Sequence, residues 1–343
     1  MGQPFLTENA TEIIQELDKV KVVPSANFDC PENALSALKV GLDVALPNSI
    51  VYLFTDAPAN DYGLYGNVSA VILRKQITVN FLISDGCRQR NTGGYEVYFK
   101  ISKVSNGLTY EVQKDNIDDV LVAIRDNNNP NFVVLKAIKS NKKIKAHFDI
   151  DESISEFKIT LAGKDQKYKV KNPSDSEVQA KQKFSTENVK IVSWKNPTKG
   201  TWKVEASDDY VEISAISQFK FDFGFSINSI EDKSETVPQP ISGIENILSI
   251  FISDPSKIDK LSHAVLISVP MSEPETFEET MLDLNKLSDD LYTTDPFSLP
   301  KKPFKISLEG KNTEGHQIHR IISPVLYESA GSKLNKISSK FQK

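Results

Sequence analysis

The chain is poor in the residues that carry most protein chemistry. It has two cysteines, Cys30 and Cys87, and four histidines among 343 residues. Two cysteines are too few for a disulfide scaffold or a structural zinc site. One bridge and two buried free thiols both remain open. No run of about 18 apolar residues occurs, so no helical membrane span is expected. Met1 to Thr11 lacks a basic start followed by an apolar block and does not read as a secretory signal. The formal net charge is -5 with both signs interspersed, which argues against a general nucleic-acid binder. The largest basic cluster, Lys136 to Lys145, is broken by apolar residues and reads as a solvated strand edge and loop. His147, His263, His316 and His319 have no cysteine or serine context of an activated nucleophile. His316 and His319 share a spacing seen in metal sites. In a strand that spacing sends the rings to opposite faces, so exposed strand-end histidines are expected. Gly93-Gly94 precedes a helix without the lysine of a phosphate-binding loop. No carboxylate pair shows an acid–base logic. The reading is a protein that is not an enzyme.

What is present is ordinary globular sequence, 39% hydrophobic and 25% charged, long enough for two or three domains. Residues 1–130 alternate helix and strand signals. Thr7 is placed to cap a helix with the apolar stripe Ile13, Ile14, Leu17 and Val20. Asp29-Cys30-Pro31-Glu32 opens a second helix, with Pro31 in its first turn and Ala34, Leu35, Leu38 and Leu42 inward. Ile50 to Thr55 is a continuous apolar run, as in a strand buried on both faces. A helix over Tyr62 to Gln76, a strand over Thr78 to Ser84, a helix over Gly94 to Ser105, a short strand over Leu108 to Val112 and a helix over Asp115 to Asp126 follow. This order predicts a partial doubly wound parallel sheet.

Asn127-Asn128-Asn129-Pro130 ends that pattern. Residues 131–230 carry regularly spaced short strands separated by turn residues, the signature of a β-sandwich. Residues 231–240 read as a polar linker. Residues 241–331 read as a second β-domain of immunoglobulin-like size, with a helix over Phe277 to Tyr292 inserted between its strands. Residues 332–343 read as a disordered tail. The expected class is therefore α/β followed by two all-β domains.

The strongest local signal is Phe54-Thr55-Asp56-Ala57, where a buried strand ends in an acid. Ligands of doubly wound sheets sit beyond the carboxyl ends of the strands. Asp56 is thus a candidate ligand for a hard divalent ion, magnesium or calcium. The bland alternative is an acid that caps the next turn. Asp29, at a loop-to-helix junction, and Asp85, after the second strand, are the other acids expected on that edge. Asn9-Ala10-Thr11 and Asn67-Val68-Ser69 are glycosylation-type triplets, relevant only in a secreted chain.

Several of these segments resemble a known family. Cys30-Pro31-Glu32, Ala45 to Ala57, Asn60-Asp61-Tyr62, Asp85-Gly86-Cys87 and Gly94 to Tyr98 resemble a von Willebrand factor A domain of the hemicentin kind. Asn172-Pro173, Asn196-Pro197 with Gly200, Trp202 and Val204, and Phe221 to Ser226 resemble the galactose-binding-like β-sandwich that follows it in hemicentins. Gln239 to Gly243 and Ile321 to Val325 resemble the bounds of an immunoglobulin-like domain.

The resemblance implies a Cys30–Cys87 bridge and an extracellular, secreted matrix or adhesion protein that contacts other extracellular proteins or matrix components. A carbohydrate-binding role for the sandwich around Trp202 is the alternative, and a partial gene product is another, since no signal sequence is seen. An A domain opens with a central strand and an Asp-x-Ser-x-Ser loop that supplies metal ligands. The match begins after the third strand, and the chain is expected to lack that loop. Asp56 then corresponds to the late aspartate of the metal-ion-dependent adhesion site, Asp29 lies near its threonine loop, and the site is degenerate. Without the central strand, Ile50–Thr55 becomes an unpaired apolar edge, which invites self-association.

Overall fold

A computed structural model describes residues 5–20, 30–47, 49–84, 93–105, 107–112, 121, 129, 131–139, 142–162, 166–186, 188–207, 210–268, 278–322 and 326. The chain divides into two compact units, residues 1–109 and 110–343. The expected helix over Asp115 to Asp126 and the tail over 332–343 lie essentially outside the described residues.

In the first unit, helix α1 (Ala10–Lys19) is capped by Asn9, whose side chain accepts from the Thr11 amide. Thr7, the expected cap, instead accepts from the Asn9 amide and donates to Glu12. The stripe Ile13, Ile14, Leu17 and Val20 is exposed. Helix α2 (Ala34–Val44) buries Ala34, Leu35, Leu38 and Leu42. It starts three residues after Pro31, not at it. The backbone of Glu32 is held extended by Ala59, its N–H donating to the Pro58 carbonyl at 3.0 Å and its carbonyl accepting from Asn60 at 2.6 Å. Strand β1 (Ile50–Thr55) follows, then helix α3 (Tyr65–Lys75) after a 3-10 turn at Tyr62–Leu64. Lys75 donates to the carbonyls of Leu42, Asp43 and Ala45 at 2.7, 2.8 and 2.9 Å. A cation there complements the negative end of α2.

Strand β2 (Thr78–Ser84) pairs parallel with β1, Ile50 opposite Thr78 through Thr55 opposite Ile83. Helix α4 (Gly93–Ser105) packs Val97, Tyr98 and Ile101 into the same core as the buried faces of α2 and α3. A Cβ on Gly94 would meet the Ala59 carbonyl oxygen at 2.3 Å, so this position needs glycine. The sheet order is β1-β2-β3, with β3 covering Thr109–Val112. β2 is buried along its centre, as its apolar run predicts. β1 is not buried on both faces: among the described strands it lies at the sheet edge, with Ile50 44% and Phe54 58% exposed.

The second unit is all β among its described strands. In order they are β4 (Phe132–Lys139), β5 (Ile144–Ile150), β6 (Ile154–Ala162), β7 (Tyr168–Lys171), β8 (Lys181–Ser185), β9 (Val189–Lys195), β10 (Gly200–Ala206), β11 (Tyr210–Ser217) and β12 (Phe221–Ser226). Then come β13 (Ile247–Ile252), β14 (Ile258–Ser268), β15 (Glu279–Asp283), β16 (Asn285–Lys286), β17 (Leu291–Thr293), β18 (Phe304–Asn312) and β19 (Gln317–Ile321). No inserted helix occupies Phe277 to Tyr292 among the described residues. Glu279–Asp283 pairs antiparallel with β14, and Leu291–Thr293 pairs with β13.

One nine-stranded sheet, β15-β14-β18-β19-β4-β11-β6-β9-β8, runs through the whole unit. A three-stranded sheet, β5-β10-β7, shares one hydrophobic core with its β4, β6, β9 and β11. A four-stranded sheet, β12-β13-β17-β16, shares a second core with β14, β18 and β19. The two cores thus lie along one sheet, joined where Ile321 of β19 pairs with Val134 of β4. Residues 231–240 include a 3-10 turn at Lys233–Glu235 with a complete capping box, and Val237 bridges to Phe225.

Beside the Ile321–Val134 pairing, Arg320 enters the interior. It is 0% exposed and its partner Asp151 is 1% exposed. The guanidinium donates to Asp151 at 2.5 Å, to Ser153 Oγ at 3.2 Å, to Ser217 Oγ at 3.3 Å and to the His319 carbonyl at 3.0 Å. Asp151 also accepts from the Ser153 amide at 2.9 Å. A buried charge pair persists only with such additional hydrogen bonds.

Candidate functional site

The carboxyl edge of β1 is the place where the first unit's acids were expected to gather. Thr55 ends the strand, and its Oγ1 accepts from the Ala57 amide at 3.2 Å. Ala57, Pro58 and Ala59 are buried behind it. The Ala59 amide donates to the Gly94 carbonyl at 2.9 Å, which ties this loop to the start of α4. Tyr98 donates its hydroxyl proton to the Ala57 carbonyl at 2.9 Å. Burial above all pushes that phenol's pKa up, against a hydrogen bond with Thr55 that lowers it; Asp61 and Glu32 raise it further.

Asp61 has a defined role that sequence reasoning missed. Its carboxylate accepts from the Leu35 amide at 3.0 Å, the Ser36 amide at 2.7 Å and the Ser36 hydroxyl at 2.6 Å. It therefore caps α2 from 25 residues away, in place of a side chain on Asn33. Burial raises its pKa, but the Ser36 hydroxyl and the two amides outweigh it, and the carboxyl lies below its ordinary value. The signal was present: an Asp after a strand, with an uncapped helix start on the same edge.

Asp56 follows β1 on the same edge and is exposed. Among the described residues, no group of three ligand-type side chains forms around it. Asp29 and Asp85 lie outside the described residues. Cys30 is disulfide-bonded, and Cys87 lies outside the described residues. Asn9 is the α1 cap and lies on the surface; Asn67 is exposed in the first turn of α3, with Ser69 buried beneath it.

The expectation that the chain lacks an Asp-x-Ser-x-Ser loop needs correction. Asp151-Glu152-Ser153-Ile154-Ser155 has that spacing. It spans the β5–β6 turn and the start of β6 in the second unit, outside the α/β segment. There the Arg320 guanidinium already fills the position between Asp151, Ser153 and Ser217.

His319 also departs from expectation. It is half-buried rather than exposed, with Nδ1 2.5 Å from the Leu135 carbonyl and Nε2 3.1 Å from Ser307 Oγ. Burial above all lowers its pKa. His316 lies in the β18–β19 turn, part-exposed beside Glu152. Trp194 and Trp202 are core residues. Trp194 stacks on Phe157 with ring centroids 4.8 Å apart, and the Trp202 indole N–H donates to the Thr198 carbonyl at 2.8 Å. Neither ring is presented at the surface for stacking on a sugar.

Comparison with known proteins places these features. Residues 1–114 match the von Willebrand factor A domain, and residues 131–212 match the hemicentin galactose-binding domain-like family. Mouse Hemicentin-1 is 27% identical over 94% of this chain and 6% of its own length. Mouse Hemicentin-2 is 27% identical over 98% of this chain and 7% of its own length. Human von Willebrand factor A domain-containing protein 7 is 23% identical over 96% of this chain and 41% of its own length. The chain thus spans a small part of the hemicentins it matches. It is hemicentin-like, with a von Willebrand factor A segment followed by a hemicentin galactose-binding-like segment.

Proposed function

We propose that this chain is a non-enzymatic extracellular matrix or cell-adhesion protein, secreted, that works through protein–protein contacts of its β region. The observation that carries the reading is the ordered hemicentin likeness along nearly the whole chain. The proposed domains are an A-like domain over 1–130, a galactose-binding-like sandwich over 131–230, a linker over 231–240, an immunoglobulin-like domain over 241–331 and a tail over 332–343. Asp56, with Asp29, is proposed as the remnant of an adhesion site that binding here does not require. Its support is the ligand-poor surrounding of Asp56 among the described residues. Cys30 is proposed to pair with Cys87, the chain's only other cysteine. Asn9 and Asn67 are proposed glycan acceptors, since both lie at the surface. The apolar β1 edge is proposed to mediate self-association.

The test is secretion of the intact chain behind a heterologous leader, followed by extraction of the cell layer. Retention in the detergent-insoluble matrix is expected, and recovery wholly in the medium would count against the role. Alkylation of the unreduced, unfolded product tests the bridge: no modified thiol is expected, and two modified thiols would refute it.

A further inference from the structure

A second cluster of ligand-type side chains lies in the β region, far in sequence from Asp56. Glu152 sits in the β5–β6 turn, and Glu314 and His316 sit in the β18–β19 turn. Their ligand atoms all lie within 4.8 Å of one another. His316 Nδ1 is 3.2 Å from Glu152 Oε2 and 3.8 Å from Glu314 Oε2. Zinc bonds of about 2.0–2.2 Å in a tetrahedron put neighbouring ligand atoms about 3.3 Å apart. The imidazole nitrogen therefore stands near coordinating separation from both carboxylates.

Composition makes this more than an acidic patch. An imidazole nitrogen faces two carboxylates, a mixed nitrogen–oxygen set suited to a zinc-class cation and not to magnesium or calcium. Asn312, 0% exposed, holds all three in place. Its Oδ1 accepts from the Glu314 amide at 3.1 Å and the His316 amide at 2.8 Å, and its Nδ2 donates to the Glu152 carboxylate. Outer-shell partners of this kind are what orient metal ligands.

One rival cation is present. Lys199 donates to Glu314 at 3.0 Å, but both side chains are about half exposed. Exposed pairs contribute about 0–1 kcal/mol, far less than a coordinating zinc ion, so the lysine is displaceable.

We propose that Glu152, Glu314 and His316 form a divalent-cation site of the zinc class, completed by water. The ligands come from both halves of the β region, one from the strands around the first β core and two from the strands around the second. A bound cation would clasp them next to Asp151, the partner of Arg320.

Calorimetric titration of the intact chain with zinc chloride tests this. One saturable site per chain is expected. His316→Ala, a change at a part-exposed ring that should leave folding intact, should weaken it beyond the roughly 10–100-fold loss typical of an outer-shell change. Lys199→Met should tighten it several-fold, because it frees Glu314. Absence of saturable binding overturns the proposal, as does binding that survives His316→Ala or is unmoved by Lys199→Met.

Discussion

Replacing Arg320 with methionine should be among the most damaging single changes in the β region. The guanidinium is fully buried and makes donor bonds to Asp151, two serines and a carbonyl. Its loss strands the Asp151 carboxylate, 1% exposed, with only local Ser153 donors. Breaking a buried pair from one side costs about 3–5 kcal/mol. Both tryptophans lie in the core that Asp151 borders, so their fluorescence follows the unfolding of this region. With a urea slope of about 3 kcal/mol per molar, the midpoint should fall by roughly 1–1.7 M. The double variant Arg320→Met with Asp151→Leu should recover most of that loss, because an apolar pair of similar volume is often neutral there. A single variant within about 1 kcal/mol of wild type would show that Asp151 does not depend on the guanidinium. So would a double variant no better than the single one.

Other consequences are smaller or more local. Asp61→Ala removes the α2 cap and should cost about 0.5–2 kcal/mol at neutral pH. Because the folded carboxyl's pKa is depressed, that stability is present above the unfolded value and fades as pH falls through the folded one. The gap between variant and wild type in thermal melts should therefore close below about pH 4. Gly94→Val drives a side chain into the Ala59 carbonyl and should destabilise the first unit by about 1–3 kcal/mol, read as lower secretion and a lower melting temperature. Tyr52→Lys places a charge on the β1 edge and should reduce self-association in light scattering; an unchanged mass distribution of an associating wild type would argue for another interface.

The strands with regular alternation were readable before the structure. Ile144–Ile150 and Tyr168–Lys171 begin and end where their patterns do. β8 carries no such pattern: Lys181-Gln182-Lys183-Phe184-Ser185 holds one apolar residue and draws its order from pairing with β9. The segment around Met281 was read as helical because its acids and apolar residues suit a helix; antiparallel pairing with β14 decides otherwise. β1 looks like a buried central strand by composition, yet its position in the sheet makes it an edge. The joining of the two β cores through Ile321 and Val134, and the gathering of Glu152 with His316, depend on contacts over more than 150 residues. No local pattern announces such contacts. Asp56 directly follows the last residue of β1, and among the described residues no ligand cluster forms around it, which no local pattern could show.

Matrix binding is proposed to reside in the β region and not at the remnant edge around Asp56. Matrix retention of the secreted chain, compared with Asp56→Ala, tests this most directly. Equal retention of the two proteins is predicted. Loss of retention in Asp56→Ala, with its folding unchanged, would contradict it.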